Sequence, residues 1–213
     1  MNLKTLILAL IISISFSQDR STIFTTYTGY DPDSSLGGYS IKSTENGMLY
    51  GAGNRFYISN EYALERAYVY LSYEYEDAFE LQQVEIKICN DDNGYVGECF
   101  TSNLVTLSPS NADGNWYAVS LLETCAKVDA SNYYWFVVLP TEGTNAKWIY
   151  STEPSFEYST TSDAGETWAN TNSGFAGTSY LTGEQIYIPP FSGGDINGDF
   201  VVNVLDVVFL VQY

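Results

Sequence analysis

From Val84 to Ile88 the chain reads VEIKI, and from Tyr133 to Leu139 it reads YYWFVVL. In the first stretch Val84, Ile86 and Ile88 alternate with Glu85 and Lys87, the period of two that puts one face of a strand in a core and the other in water. The second stretch has no polar interruption, as expected of a central strand covered on both sides.

Outward from these two runs the pattern repeats. Arg66 to Tyr73 predicts a strand with Val69 and Leu71 on one face and Tyr68 and Tyr70 on the other. Trp116 to Leu122, Trp148 to Ser151 and Gln185 to Ile188 read as further strands. Between Asp19 and Pro190 no window sustains the apolar spacing of an amphipathic helix, whereas Gly, Asn, Asp and Ser separate the short runs. The expectation is an all-β fold, an antiparallel, jelly-roll-like β-sandwich over residues 19–190. Pro189, Pro190, Ser192, Gly193 and Gly194 mark a linker, set at 191–194.

At the other end, Lys4, the apolar run Leu6 to Phe16 and the small residues Ser15 and Ser17 make residues 1–17 a signal peptide. The run is about 11 residues where a bilayer span needs about 20, so no transmembrane segment is expected. Without Lys4 the chain has 7 basic residues against 26 acidic ones, a formal charge of −19, and it has no histidine. Such a field repels nucleic acid and leaves divalent cations and neutral, hydroxyl-rich polymers as partners. Acidity serves solubility equally well. With 45% hydrophobic and 16% charged residues, 19 tyrosines and 11 phenylalanines, a packed core is within reach.

Three cysteines are an odd number in an oxidising compartment. Cys89 and Cys99 bracket the turn-rich segment Asn90-Asp91-Asp92-Asn93-Gly94 and are the favoured pair. Cys89 with Cys125, or three reduced and buried cysteines, are the alternatives.

From Asp195 the chain reads DINGDFVVNVLD. Asp195, Asn197, Asp199, Asn203 and Asp206 fall at positions 1, 3, 5, 9 and 12 of a loop that wraps a hard cation in oxygens, with the Val201 carbonyl at position 7. Val202 takes the apolar position 8, and Val204, Leu205, Val207, Val208, Leu210 and Val211 form an apolar helix leaving the loop. Residues 195–213 resemble the first repeat of a type I dockerin, which closes its loop with Asp, as Asp206 does here. The resemblance implies calcium as cofactor, an exported bacterial protein at the cell surface or outside it, and, once a second repeat follows, a cohesin-type partner. Two such repeats pack together in that family, and they accompany extracellular polysaccharide-degrading proteins. Position 6, normally glycine, is Phe200, which costs about 1–2 kcal/mol in a left-handed backbone. The chain breaks off at Tyr213 within the apolar helix, so the expectation is a piece of a longer protein.

Thr161-Ser162-Asp163-Ala164-Gly165-Glu166-Thr167-Trp168 resembles the Asp-box of sialidase propeller blades, S/T-x-D-x-G-x-T-W, but occurs once. An Asp-box is a hairpin device: the Asp bonds turn backbone, the Gly takes a special dihedral and the Trp packs beneath. A sialidase would need repeated copies and a set of arginines, and only Arg20, Arg55 and Arg66 are present. The span from about Leu49 to Gly183, with Ile86 to Gly97, Tyr133 to Val138 and Asp163 to Trp168, also resembles, more loosely, the extracellular sandwich modules found beside C-terminal anchoring or sorting signals. That resemblance implies a non-catalytic module.

Three function classes follow. The first is a secreted, non-catalytic, structural or complex-assembling protein. The second is a carbohydrate-binding module in which Trp116, Trp148 and Trp168 form a stacking platform for polysaccharide. The third is a glycoside hydrolase built on two carboxylates drawn from Glu74, Glu76, Glu80 and Glu85. Coplanar exposed tryptophans would favour the second and a cleft with facing carboxylates the third. With no histidine, a Ser-His-Asp triad and a histidine-bound zinc are excluded.

Overall fold

The computed structural model describes residues 21–27, 29, 32, 34–74, 82–108, 113–152 and 155–186. The segments expected to form a signal peptide (1–17), a linker (191–194) and a calcium loop with its helix (195–213) lie outside the described residues.

The described chain is all-β. Its strands are β1 (Ser21–Thr25), β2 (Gly38–Ser43), β3 (Leu49–Ile58), β4 (Tyr62–Tyr73), β5 (Gln83–Asp92), β6 (Tyr95–Thr106), β7 (Asn115–Ser120), β8 (Lys127–Val128), β9 (Asn132–Pro140), β10 (Asn145–Ile149), β11 (Phe156–Thr161), β12 (Asn172–Gly174) and β13 (Ser179–Gln185). Short 3-10 turns at Ser34–Leu36 and Leu122–Thr124 complete it. No helix among the described residues is long and apolar enough to cross a membrane.

The pairings between these strands are antiparallel and join them into one curled sheet. In one section β4 is central, with β7 and β8 on one edge and β13 and β10 on the other. Beyond them lie β1, next to β13, and β2, next to β10. In the other section the order is β12, β11, β3, β9, β5, β6. Strand β3 belongs to both: Leu49 and Tyr50 pair with β2, and from Gly51 onward the strand pairs with β11 and β9. The sheet curls there.

Side chains from the two sections meet in one core. Val84, Ile86 and Ile88 are fully buried, as are Val69 and Leu71, whereas Tyr68 and Tyr70 face outward and stay partly exposed. Each enclosed aliphatic side chain contributes about 1.5–3 kcal/mol. Phe24 of β1 stacks on Phe56 of β3 with centroids 4.5 Å apart, and Phe136 of β9 meets Trp148 of β10 at 5.7 Å. Strand β9 is buried on both faces. Tyr134, Phe136 and Val138 enter the main core, while Trp135, Val137 and Leu139 form a second cluster with Cys89, covered by Val96 and Trp168.

Strand limits differ from the sequence reading in places. Strand β4 starts at Tyr62 and β13 runs Ser179–Gln185 rather than from Gln185 onward. Both extensions follow from their mutual pairing, which runs from Tyr62↔Gln185 to Val69↔Ser179 and which neither segment's own composition reveals.

Candidate functional site

Polar side chains on the outer face of the second section converge on Asp91, near the end of β5. Arg55 of β3 donates Nε–H to its Oδ1 at 2.7 Å and Nη2–H to its Oδ2 at 2.8 Å. The Trp135 indole N–H donates to Oδ1 at 2.8 Å and the Gly94 amide to Oδ2 at 3.0 Å. Arg55 reaches on to Glu157 of β11, Nη1 to Oε2 at 2.7 Å, and its guanidinium carbon lies 4.0 Å from the Tyr133 ring centroid. Burial pushes the Asp91 carboxyl upward, but the Arg55 bonds, the Gly94 amide and the Trp135 indole outweigh it and hold the carboxyl below its ordinary value. The loop that supplies Gly94 is a two-residue hairpin turn, Asn93-Gly94, with positive φ at both positions.

A second polar constellation is the hairpin after β11. Asp163 Oδ1 accepts from the Thr167 amide at 2.9 Å and from Thr161 Oγ1 at 2.6 Å, and its Oδ2 accepts from Thr167 Oγ1 at 2.5 Å. These bonds hold its carboxyl down at about 2. Gly165 has φ +86°, and Trp168 packs toward it and onto the Leu139 cluster. Every acceptor bond of Asp163 serves the turn.

The outer face of the first section carries aromatic rings. Tyr68 of β4 and its register partner Tyr180 of β13 lie parallel, centroids 4.1 Å apart at 11°. Trp116 of β7 meets Tyr180 at 5.1 Å and 66°, its register partner Tyr70 at 5.4 Å and 77°, and Tyr27 at 5.3 Å and 84°. All five rings are partly exposed. Burial, then the neighbouring phenols of Tyr68 and Tyr27, push the Tyr180 hydroxyl above its ordinary value, so it stays protonated. The register partners around the rings are Thr25 opposite Tyr180, Ala118 opposite Tyr68, and Thr182 and Ser120 on either side of Arg66.

The three tryptophans do not form one platform. Trp148 is fully buried, because β10 runs between β4 and β2 and turns this side chain into the core. Its indole donates to the Thr178 carbonyl at 3.0 Å and lies against Gly177. Trp168 belongs to the Asp163 hairpin on the other section. Trp116 alone stands on the ring-bearing face, edge to face with its neighbours rather than coplanar with another tryptophan.

Of the glutamates, Glu74 pairs with Lys147, and Glu85 with Lys87 at 3.1 Å; Glu76 and Glu80 lie outside the described residues. Cys89 is disulfide-bonded to Cys99, and Cys125 is free and exposed. Among the described residues no cluster of three or more His, Cys, Asp or Glu is placed to hold a metal. Asp195, Asn197, Asp199, Val201, Asn203 and Asp206, expected to line a calcium loop, lie outside the described residues.

The sequence reading places Tyr68 and Tyr70 together on one strand face without giving them a role, and does not reach Tyr27 or Tyr180. The signal was the outward phase of β4; what was missing was the register that sets β7 and β13 beside it. Compared with family models, curated proteins and solved structures, the chain matches none.

Proposed function

We propose that the chain is an exported, non-catalytic protein whose curled sheet is a jelly-roll-like β-sandwich. It acts as a structural or complex-assembling module in extracellular polysaccharide metabolism and is tethered through a dockerin-like calcium loop. The observation that carries the non-catalytic part is the Asp91 site. There an acid, a base, an indole and an amide are consumed by one another, in an arrangement that ties β3, β5, β9 and β11 together. The tethering part is supported by DINGDFVVNVLD, whose donor set of carboxylates, amides and a carbonyl suits a hard cation such as calcium. Asp195, Asn197, Asp199, Asn203, Asp206 and the Val201 carbonyl would hold the ion, which would fix the loop and the helix after it.

Calcium titration calorimetry on the chain lacking residues 1–17 tests the tether. Saturable binding abolished by Asp195→Ala with Asp199→Ala supports it. Absence of binding, in this chain and in one extended by a second repeat, rejects it.

A further inference from the structure

The geometry points to the outer face of β13, β4 and β7 as a binding site for a neutral polysaccharide, with Trp116 at its centre. The inference rests on the reading of an exported, non-catalytic module, to which it adds a ligand.

Four aromatic rings on the adjacent strands β13, β4 and β7, together with Tyr27 just past the end of β1, remain partly exposed, although a core that already encloses Phe24, Phe56, Phe136 and Trp148 has no need of them. Exposed aromatic surface gathered in one place marks an interaction site. What it would bind follows from charge and from the kind of surface. The chain carries a formal −18, so a polyanion and a second copy of the chain are both repelled. A cationic partner would seek carboxylates, but the register positions around the rings hold Thr25, Arg66, Ala118, Ser120 and Thr182. A guanidinium, hydroxyls and a methyl group suit an uncharged partner rich in hydroxyls.

A pyranose ring has that chemistry. Its C–H face lies against the electron-rich face of an aromatic ring, and its rim of hydroxyls exchanges hydrogen bonds with phenols, Thr, Ser and Arg. Trp116 packs at steep angles against Tyr27, Tyr70 and Tyr180, so its orientation is set before the ligand arrives. Pre-ordered rings lose less entropy on binding than mobile ones. The Tyr180 hydroxyl, kept protonated, is available as a donor. Rings spread over three neighbouring strands, about 4.8 Å apart, offer contacts to successive sugars of a chain rather than to a single one.

Affinity gel electrophoresis of the full mature chain tests this, using hydroxyethylcellulose and galactomannan as neutral probes and polygalacturonate as the anionic control. Retardation by a neutral polymer is expected. It should weaken at least tenfold in Trp116→Ala, stay largely intact in Trp116→Phe, which keeps a ring at that position, and be unchanged in Tyr57→Ala on the other section. Thermal unfolding of each variant establishes that it folds; should Trp116→Ala fail to fold, Tyr68→Ala replaces it. The proposal is overturned if neither neutral polymer retards the chain, if polygalacturonate retards it equally, or if Tyr57→Ala weakens binding as much as Trp116→Ala. It is also overturned if sedimentation shows a dimer that Trp116→Ala dissociates. Calcium binding is read separately, so failure here leaves the tether standing, and failure of the tether leaves glycan binding standing.

Discussion

Arg55 grips Asp91 with two parallel hydrogen bonds, of 2.7 and 2.8 Å, across the intervening strand β9, whose Trp135 indole bonds the same carboxylate. Three strands of the second section are thereby joined on a face that their side chains only partly shield from water, the Asp91 side chain being 11% exposed.

Replacing Arg55 with methionine keeps much of the packing over Tyr133 but leaves Asp91 without its cation. A mostly buried carboxylate that loses its partner costs about 2–3 kcal/mol, which urea unfolding at pH 7 reads directly. The pH dependence follows from the sign of the shift. The folded-state carboxyl of Asp91 is depressed, so its stabilisation is fully present above the ordinary carboxylate value and is lost as pH falls through the folded value. The gap between wild type and Arg55→Met therefore narrows as pH falls below the ordinary carboxylate value and through the depressed folded value, where Asp91 becomes protonated in both. A gap that stays constant through acid titration of the carboxylates contradicts the assignment.

Asp163 makes a sharper pH prediction. Hydrogen bonds from the Thr161 side chain and from the Thr167 side chain and amide hold its carboxyl at about 2. The hairpin is therefore held fully above about pH 4, the ordinary carboxylate value, and loosens as pH falls through about 2. Trp168, packed on the Leu139 cluster, reports the change in its fluorescence. In Thr167→Val the carboxyl loses the side-chain bond, and the transition moves upward in pH; an unmoved transition shows that Thr167 is not what depresses it.

Gly177 and Trp148 are so close that a Cβ built on Gly177 would lie 2.1 Å from Cε2 of the indole. The indole is fully enclosed and held by its bond to the Thr178 carbonyl, so it has no room to retreat. Gly177→Ala is expected to destabilise the fold by about 3 kcal/mol, the upper end of the range for overpacking. In Trp148→Leu the same substitution should cost far less, a non-additivity that a double-mutant cycle in urea measures. Additive losses would mean that the two residues do not clash.

These relationships differ in how far they could be read from sequence. The partners of Asp163 lie within four residues of it, so the hairpin is visible in one octapeptide. The alternation of Val84, Ile86 and Ile88 and the unbroken run of β9 are equally local, because burial on one face or two is imposed strand by strand. In β3, Gly51 and Gly53 interrupt the apolar alternation that marks a strand; those positions face Leu139, Val137 and Trp135 of β9 and must be small. Trp148, a candidate for the stacking platform, is inside, because a strand's phase says which residues share a face but not which face meets the core. Arg55, Asp91 and Glu157 come from three strands, and Tyr27, Trp116 and Tyr180 from segments more than sixty residues apart, so register alone brings them together.

The proposed calcium loop allows a gain-of-function test. Position 6 of such a loop turns sharply in a left-handed backbone, and Phe200 stands there in place of glycine. A non-glycine residue in that conformation costs about 1–2 kcal/mol, whichever ion is bound. If DINGDFVVNVLD wraps calcium in the proposed manner, Phe200→Gly removes that strain and tightens binding about tenfold, since about 1.4 kcal/mol is one decade of affinity. Asp206→Ala, which removes the closing carboxylate, should weaken binding instead, and the two effects have opposite signs in the same calorimetric titration. Tightening in Phe200→Gly could not come from general acidity, which that substitution leaves unchanged. Equal affinity for wild type and Phe200→Gly would show that residue 200 is not at the turn, and with it that the spacing from Asp195 to Asp206 does not form the loop.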